Sequence, residues 1–278
     1  MKVLCSVKDV RDELRGRADT LALIPTMGAL HPGHLSLIDI ARNKAQKVMV
    51  YIFVNPTQFN NPEDLKNYPR DIEKDIQILR EQGVDYVFTP SVDDIYGGNK
   101  GTKVNPCVLG EVMEGPNRPG HFQGVCTVLS IIFNIVKPDF AVFGEKDFQQ
   151  MRIVEEMVSD MRLGLEILRA PISREDSGLA RSSRNELLTS EERSKASIIY
   201  DSLSLANEMV KSGDKDTSKI LRSCKQILDR VPELRLEYLT INKEDDLLEV
   251  EGVEQNIKHR IFFAGYLGRV RLIDNMPI

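Results

Sequence analysis

The chain has 278 residues, 41% hydrophobic and 28% charged, with a net charge of −5. That describes a globular protein of one large or two ordinary domains, and the negative balance argues against a nucleic-acid binder built on a broad basic face. The longest apolar stretch, residues 125–136, carries Ser130 and Asn134 and is too short to span a bilayer as a helix, while Cys5, Cys107, Cys126 and Cys224 form neither a zinc pattern nor a disulfide framework.

The amino terminus turns charged at once (Lys8, Asp9, Arg11, Asp12, Glu13), unlike a secretory signal, and residues 5–15 predict a short amphipathic helix. An apolar run over 21–24 predicts a buried strand, and the periodic segment from 35 to 44 a helix. Between them lies Pro25-Thr26-Met27-Gly28-Ala29-Leu30-His31-Pro32-Gly33-His34, a Gly/Pro-bearing turn. In an open α/β sheet such a turn sits at the carboxyl ends of the strands, where ligands bind. Amides at a helix start suit an anion, and two imidazoles add donors, so His31 and His34 predict a phosphate site.

Residues 47–54, apolar on both faces, predict a central parallel strand and complete a right-handed βαβ unit. Asn55 and Gln58 follow it, in the stretch 55–62, and are predicted to face the same crevice as the histidines. Tyr68 precedes a helix over 71–82, then come a strand over 84–88 and a loop over 90–103. Arg118 and His121 stand beside Gly120 and Gly124, glycines that let backbone approach a ligand, before a long apolar helix over 121–136. A strand over 140–143 runs into Gly144-Glu145-Lys146-Asp147, which opens another helix. Lys146 suits phosphate as a point charge, and Gln150 lies one helical turn further on the same face.

A strand over 163–170 leads to Ser173 and then to Arg181-Ser182-Ser183-Arg184, hydroxyls and arginines suited to a loop closing on a triphosphate. Thr189 and Glu192 form a capping box. They open a helix to about residue 211, followed by a second helix over 216–230 and strands over 234–241, 260–264 and 269–273. Helices followed by strands, without βαβ alternation, predict a separate α+β domain. The fold class expected is α/β, a Rossmann-like doubly wound parallel sheet over 1–175, with a smaller α+β domain over 176–278 that closes over the active site.

His-x-Gly-His resembles the signature of the nucleotidyltransferase superfamily. With Asn55-Pro56-Thr57-Gln58-Phe59, Arg118-Pro119-Gly120-His121-Phe122-Gln123-Gly124, Gly144-Glu145-Lys146-Asp147-Phe148-Gln149-Gln150 and Ser182-Ser183-Arg184-Asn185, the whole chain resembles the pantoate–β-alanine ligases, whose motifs occur in this order and spacing. The resemblance implies ligation of pantoate to β-alanine through a pantoyl adenylate, with ATP as a substrate carrying Mg²⁺, in a cytoplasmic homodimer that binds neither nucleic acid nor membrane. It implies that Met27, Gly28, Ala29, Leu30, His31, Pro32, Gly33 and His34 line the phosphates. Gly144, Glu145, Lys146 and Asp147 hold the nucleotide, and Ser173, Arg181, Ser182, Ser183 and Arg184 close over it. Gln58 and Gln150 bind pantoate, with Asn55, Tyr68, Arg118 and His121 as further pocket residues. His34, His31 and Lys146 carry the chemistry. The protein ligands of Mg²⁺ are open, with Asp75 a candidate.

Two positions depart from the family pattern: Ser177 stands where an Asp is common, and Arg181 where Met or Leu is. Another His-x-Gly-His transferase explains the first motif but leaves Gln58 and Gln150 without a role. A nucleotide-binding protein without catalysis is opposed by the intact His31, His34 and Lys146.

Overall fold

The computed structural model describes residues 1–60, 62–98 and 101–278. Asn61, in the stretch after the second predicted strand, and residues 99 and 100 of the expected loop lie outside them. The chain divides into two compact units: residues 1–145 with 149–171, and residues 146–148 with 172–278.

In the first unit the elements are β1 (Lys2–Leu4), α1 (Val7–Glu13), β2 (Leu21–Thr26), α2 (Pro32–Arg42), β3 (Lys47–Ile52), α3 (Pro62–Asn67), α4 (Ile72–Glu81), β4 (Tyr86–Phe88), α5 (Val92–Tyr96), α6 (Glu114–Asn117), α7 (His121–Val136), β5 (Phe140–Gly144), α8 (Phe148–Asp160), whose first residue belongs to the second unit, and β6 (Glu166–Ala170). The strands form one parallel sheet in the order β1-β4-β3-β2-β5-β6. Leu21, Ala22, Leu23 and Ile24 are all buried, as a strand covered on both faces requires. Ala22, Ile24, Val48 and Val50 share one core with Leu37, Ile38 and Ala41 of α2 and Leu79 of α4. The alternate residues Leu21, Leu23, Met49 and Tyr51 are buried on the opposite face. Full burial of each such aliphatic side chain is worth about 1.5–3 kcal/mol.

From β2 the chain steps outward through β3 to β4, then returns to the other side of β2 for β5 and β6. The direction reverses between β2 and β5. Their carboxyl ends are therefore the switch point at which open α/β sheets bind ligands.

The second unit holds α9 (Ser190–Lys195), α10 (Ile198–Lys211), α11 (Thr217–Leu228) and an antiparallel sheet of β7 (Leu234–Lys243), β8 (His259–Leu267) and β9 (Val270–Pro277), with β8 in the middle. Ile199, Leu203 and Ala206 of α10 and Ile220, Cys224 and Leu228 of α11 recur at helical spacing and meet Ile241, Ile261 and Phe263 of the sheet.

The structure differs from the sequence expectation at several elements. The loop read over 90–103 contains α5, capped by Ser91 and ended by Gly97 at φ 55°. The helix read from Thr189 to residue 211 is two helices, broken at Ala196 and Ser197. Strand β1, only three residues long, pairs with β4 along the sheet edge. Among the described residues no helix is long and apolar enough to cross a membrane.

Candidate active site

β2 ends at Thr26, and the next five residues turn the chain into α2. His31 is the N-cap of α2, with Pro32 in the first helical position, where a missing N–H costs nothing. The His31 Nδ1 accepts the amide proton of Gly33 at 3.1 Å, and the His34 Nδ1 accepts that of His31 at 3.4 Å. The two imidazoles thus form a reciprocal capping box, with ring centroids 4.0 Å apart. A ring nitrogen that accepts leaves the proton on the other, so each histidine presents Nε2–H as its donor at the start of a helix.

The turn is held from below. Asp75 of α4 is 2% exposed. Its Oδ2 accepts from the Ala29 amide at 2.9 Å and its Oδ1 from the Leu30 amide at 2.8 Å. Ala29 sits at φ 51° and Gly28 at φ 81°. The left-handed region costs an L-residue about 1–2 kcal/mol, and two charge-assisted hydrogen bonds offset it. At Gly28 a Cβ would lie 2.9 Å from Asp75 Oδ2, so a side chain there would displace the bracket. Burial raises the Asp75 carboxyl above its ordinary value, against the two amide bonds. Both oxygens of the candidate metal ligand are thus engaged by the chain's own amides.

Beyond β3, Asn55 is 1% exposed. Its Oδ1 accepts from the Thr57 amide and hydroxyl and from the Tyr96 hydroxyl, and its Nδ2 donates to Gly124 O and to Gln58 Oε1. This side chain, expected to face the crevice, instead spends its hydrogen-bonding capacity on the turn that carries Gln58. The Gln58 side chain also reaches Met27, donating from Nε2 to Sδ at 3.0 Å, so the turns after β2 and β3 meet here.

His121, the first residue of α7, holds Gln58 from the other side. Its Nδ1 lies 2.8 Å from Gln58 O and its Nε2 3.1 Å from Arg118 Nη1. A carbonyl only accepts, so Nδ1 donates and Nε2 accepts a hydrogen bond from the Arg118 N–H. Glu114 balances Arg118 at 3.7 Å. Gly124 permits the arrangement: a Cβ there would stand 2.6 Å from Thr57 O and 2.8 Å from Gln58 N. The backbone that approaches Gly124 is the chain's own, not a ligand's, while Gly120, at φ 80° with open space around it, caps α7. Tyr68 is buried edge-on against Phe59, with ring centroids 5.7 Å apart. Gly144 ends β5 and Glu145 follows it, half-buried. On α8, Gln149 is buried and bonded to the carbonyls of Leu109 and Val112, whereas Gln150 is half-buried.

In the second unit, Ser173, Arg174 and Arg181 belong to a short hairpin. Arg174 bridges to Ala180, the Arg181 amide donates to Ser173 O at 2.9 Å, and Arg181 Nε donates to Arg174 O at 3.1 Å. Ser177 takes the turn, its hydroxyl 3.5 Å from the Leu179 amide, and Gly178 is at φ 86° against the Tyr200 ring. Ser182 caps the short helical turn Ser183–Leu187. Ser183 is buried and Arg184 half-buried. Glu175 ties hairpin and turn to α9, accepting from Asn185 and from Arg193. The Arg193 guanidinium holds its carboxyl below the usual range. Lys146 is half-buried, and its carbonyl accepts from Asn275 Nδ2 at 2.9 Å. Sequence reasoning missed Asp75 as a bracket, Tyr96, Arg174 and Asn275. Their partners are far away in the chain, and no local pattern announces them.

Among the described residues no group of three or more His, Cys, Asp or Glu is placed to hold a metal ion. The first unit supplies two paired imidazoles at a helix start, at the sheet's switch point, together with Gln58, whose side chain is held by Asn55 and Met27 and whose carbonyl is held by His121. Donors at a helix start of this kind suit an anion such as a phosphate.

The family model of pantoate-beta-alanine ligase matches residues 2–277. The pantothenate synthetase of Thermosipho africanus is 44% identical over the full length of both chains, and that of Aquifex aeolicus is 45% identical over 98% of this chain and 97% of its own. The crystal structure of the Thermus thermophilus pantothenate synthetase superposes with a TM-score of 0.94 at 40% identity, covering 99% of each chain. The Francisella tularensis pantoate-beta-alanine ligase, complexed with beta-gamma ATP and beta-alanine, gives 0.81 at 35% identity over 99% and 97%. The chain belongs to the pantoate–beta-alanine ligase family and is an enzyme of that reaction.

Proposed function

We propose that the reaction runs in two steps on Mg-ATP. A carboxylate oxygen of pantoate attacks the α-phosphorus, the bond to the bridging oxygen breaks, and pyrophosphate leaves with that electron pair. The amine of β-alanine then attacks the acyl carbon of pantoyl adenylate. The C–N bond forms as the nitrogen loses a proton, the bond from the acyl carbon to the bridging oxygen breaks, and AMP departs with that oxygen and its electron pair. Both steps are mainly positioning and charge stabilisation.

The observation that carries this reading is the histidine pair. His31 and His34 each have Nδ1 committed to a backbone amide, which leaves the proton of a neutral ring on Nε2 at the start of α2. These donors meet charge that builds on the phosphate oxygens as pyrophosphate leaves. Met27 to Gly33 shape the turn around the nucleotide, Gly144, Glu145 and Asp147 contact it, and Lys146 adds a positive charge on the phosphates. Ser173 and Arg181 to Arg184 close over the triphosphate. Gln58 and Gln150 bind the hydroxyls and carboxylate of pantoate. Asn55, Tyr68, Arg118 and His121 act from behind, by fixing Gln58 and the turn that carries it. Mg²⁺ arrives with ATP as part of the substrate. The family resemblance further implies a cytoplasmic homodimer, a state that sedimentation of the purified protein tests.

The deciding experiment is pantoate-dependent ATP–pyrophosphate exchange, run beside formation of pantothenate and AMP from the three substrates. We expect exchange that requires pantoate but not β-alanine, and its loss in His34→Ala. Exchange indifferent to pantoate, or no exchange by folded protein that binds ATP, sinks the reading.

A further inference from the structure

We propose that Asp274 and Asn275, adjacent on β9, are positioning residues that set the placement of Lys146 and of the Ser173–Arg181 hairpin. The proposal rests on the reading of Lys146 as a phosphate ligand. Successive strand residues point to opposite faces, and a strand at a sheet edge ordinarily leaves one of them in water. Here Asp274 is 4% exposed and Asn275 is 2% exposed, although β9 is an edge strand.

Each side chain is committed to one of the two cation-bearing segments. Asn275 donates from Nδ2 to Lys146 O at 2.9 Å. Its Oδ1 accepts from Arg260 Nη1 at 2.6 Å, which fixes the amide's orientation. Arg260 is itself buried. Its Nε and Nη2 both reach Glu244 Oε1 at 2.8 Å, and its guanidinium carbon lies 3.9 Å from the ring centroid of Phe148, two residues beyond Lys146. The segment Lys146–Phe148 is thus gripped twice, through a backbone carbonyl and through an aromatic face. On the other side, Asp274 receives Arg174 in a two-pronged pair at 2.6 and 2.9 Å. Arg174 also donates to Asn275 O at 3.2 Å, and its own carbonyl accepts from Arg181 Nε.

One dipeptide thereby spaces a lysine from an arginine. The distance between two cations decides whether both reach one triphosphate, and a shift on the order of 1 Å costs up to about a hundredfold in rate. Buried, fully bonded side chains of this kind hold such a distance better than a loop does.

The test is Asn275→Asp, alone and combined with Lys146→Ala, in ATP–pyrophosphate exchange. Aspartate keeps the acceptor for Arg260 but turns an oxygen toward the Lys146 carbonyl. We expect the KM for ATP to rise and kcat to fall by about tenfold each, with the KM for pantoate within about twofold of wild type. In the Lys146→Ala background the same change adds less than about twofold, because the group it acts through is gone. A drop in all parameters that persists undiminished in that background overturns the proposal, as does wild-type exchange by Asn275→Asp beside a defective Lys146→Ala. Full exchange by Lys146→Ala alone overturns the assignment of Lys146 first and the proposal with it. If Asn275→Asp does not fold, Arg260→Lys, which cannot fork to Glu244 and Asn275 together, takes its place with the same expectations.

Discussion

Asp75 Oδ1 accepts the amide proton of Leu30 at 2.8 Å, a bond between positions 45 residues apart in the chain. With the matching bond from Ala29 to Oδ2, one carboxylate sets the backbone of the turn that ends in the two histidines. Asp75→Asn keeps the volume but offers one acceptor and one donor where two acceptors are needed. It also removes a buried charge whose carboxyl burial already disfavours. Stability should therefore change little, within about 1 kcal/mol, while exchange falls about tenfold to a hundredfold as the turn relaxes. A thermal melt beside the exchange assay separates the two. A variant that loses stability but keeps its rate per folded molecule would show that the bracket serves folding alone.

Each histidine has two nitrogens with separable duties. At His34 the Nδ1 caps α2 and the Nε2 is assigned to phosphate. Asparagine places an acceptor near the position of Nδ1, and glutamine places a donor near that of Nε2. His34→Asn should melt close to wild type yet lose exchange by about a hundredfold or more, the scale of a lost transition-state donor. His34→Gln should keep part of the activity and melt lower by the worth of a cap, about 1 kcal/mol. The reverse pattern would assign the cap, rather than the donor, to catalysis.

What could be read from sequence was local. The turn from β2 into α2 was legible because strand, Pro32 and His31 lie within a dozen residues, and the His121–Val136 helix because its apolar residues are continuous. The short edge strand β1 was not, since three residues carry no periodicity and its partner begins at Tyr86. Nor was the break between α9 and α10, where Ala196 and Ile199 keep the apolar spacing on both sides of it. Asn55 and His121 illustrate a different limit. Residue type marks each as a polar group at a strand end or helix start, but not whether its partner is a ligand or a carbonyl 69 or 63 residues away. Gly124 shows the same limit: a glycine marks a close approach, and here the approaching backbone is that of Thr57.

Glu175 gives the second unit a pH dependence of known sign. Its carboxyl is held below the ordinary value of 4.5, chiefly by the hydrogen bond from Arg193 and further by Asn185. A depressed acid contributes stability that is fully present above its unfolded value and is lost as pH falls through the folded one. Arg193 is 48% exposed, so solvent screens the pair and its worth is about 0.5 kcal/mol. Glu175→Gln should melt slightly below wild type at pH 7, and the gap should close as the pH drops below the usual glutamate range. A gap that stays constant with pH would mean that the charge of Glu175 contributes nothing.

Gly124 tests whether the Gln58 turn matters to substrate rather than only to the fold. In Gly124→Ala the new methyl would stand 2.6 Å from Thr57 O and 2.8 Å from Gln58 N. Both are backbone atoms that cannot swing aside, so the segment Pro56–Gln58 must move off α7. Overpacking of this kind costs about 1–3 kcal/mol. The shift also pulls Gln58 O from His121 and Gln58 Nε2 from Met27. The KM for pantoate should therefore rise more than the KM for ATP, which a substrate titration at fixed temperature, well below the lowered melting point, resolves. Equal changes in both would mean that the methyl perturbs the whole crevice, and that Gln58 holds no privileged place at the pantoate end.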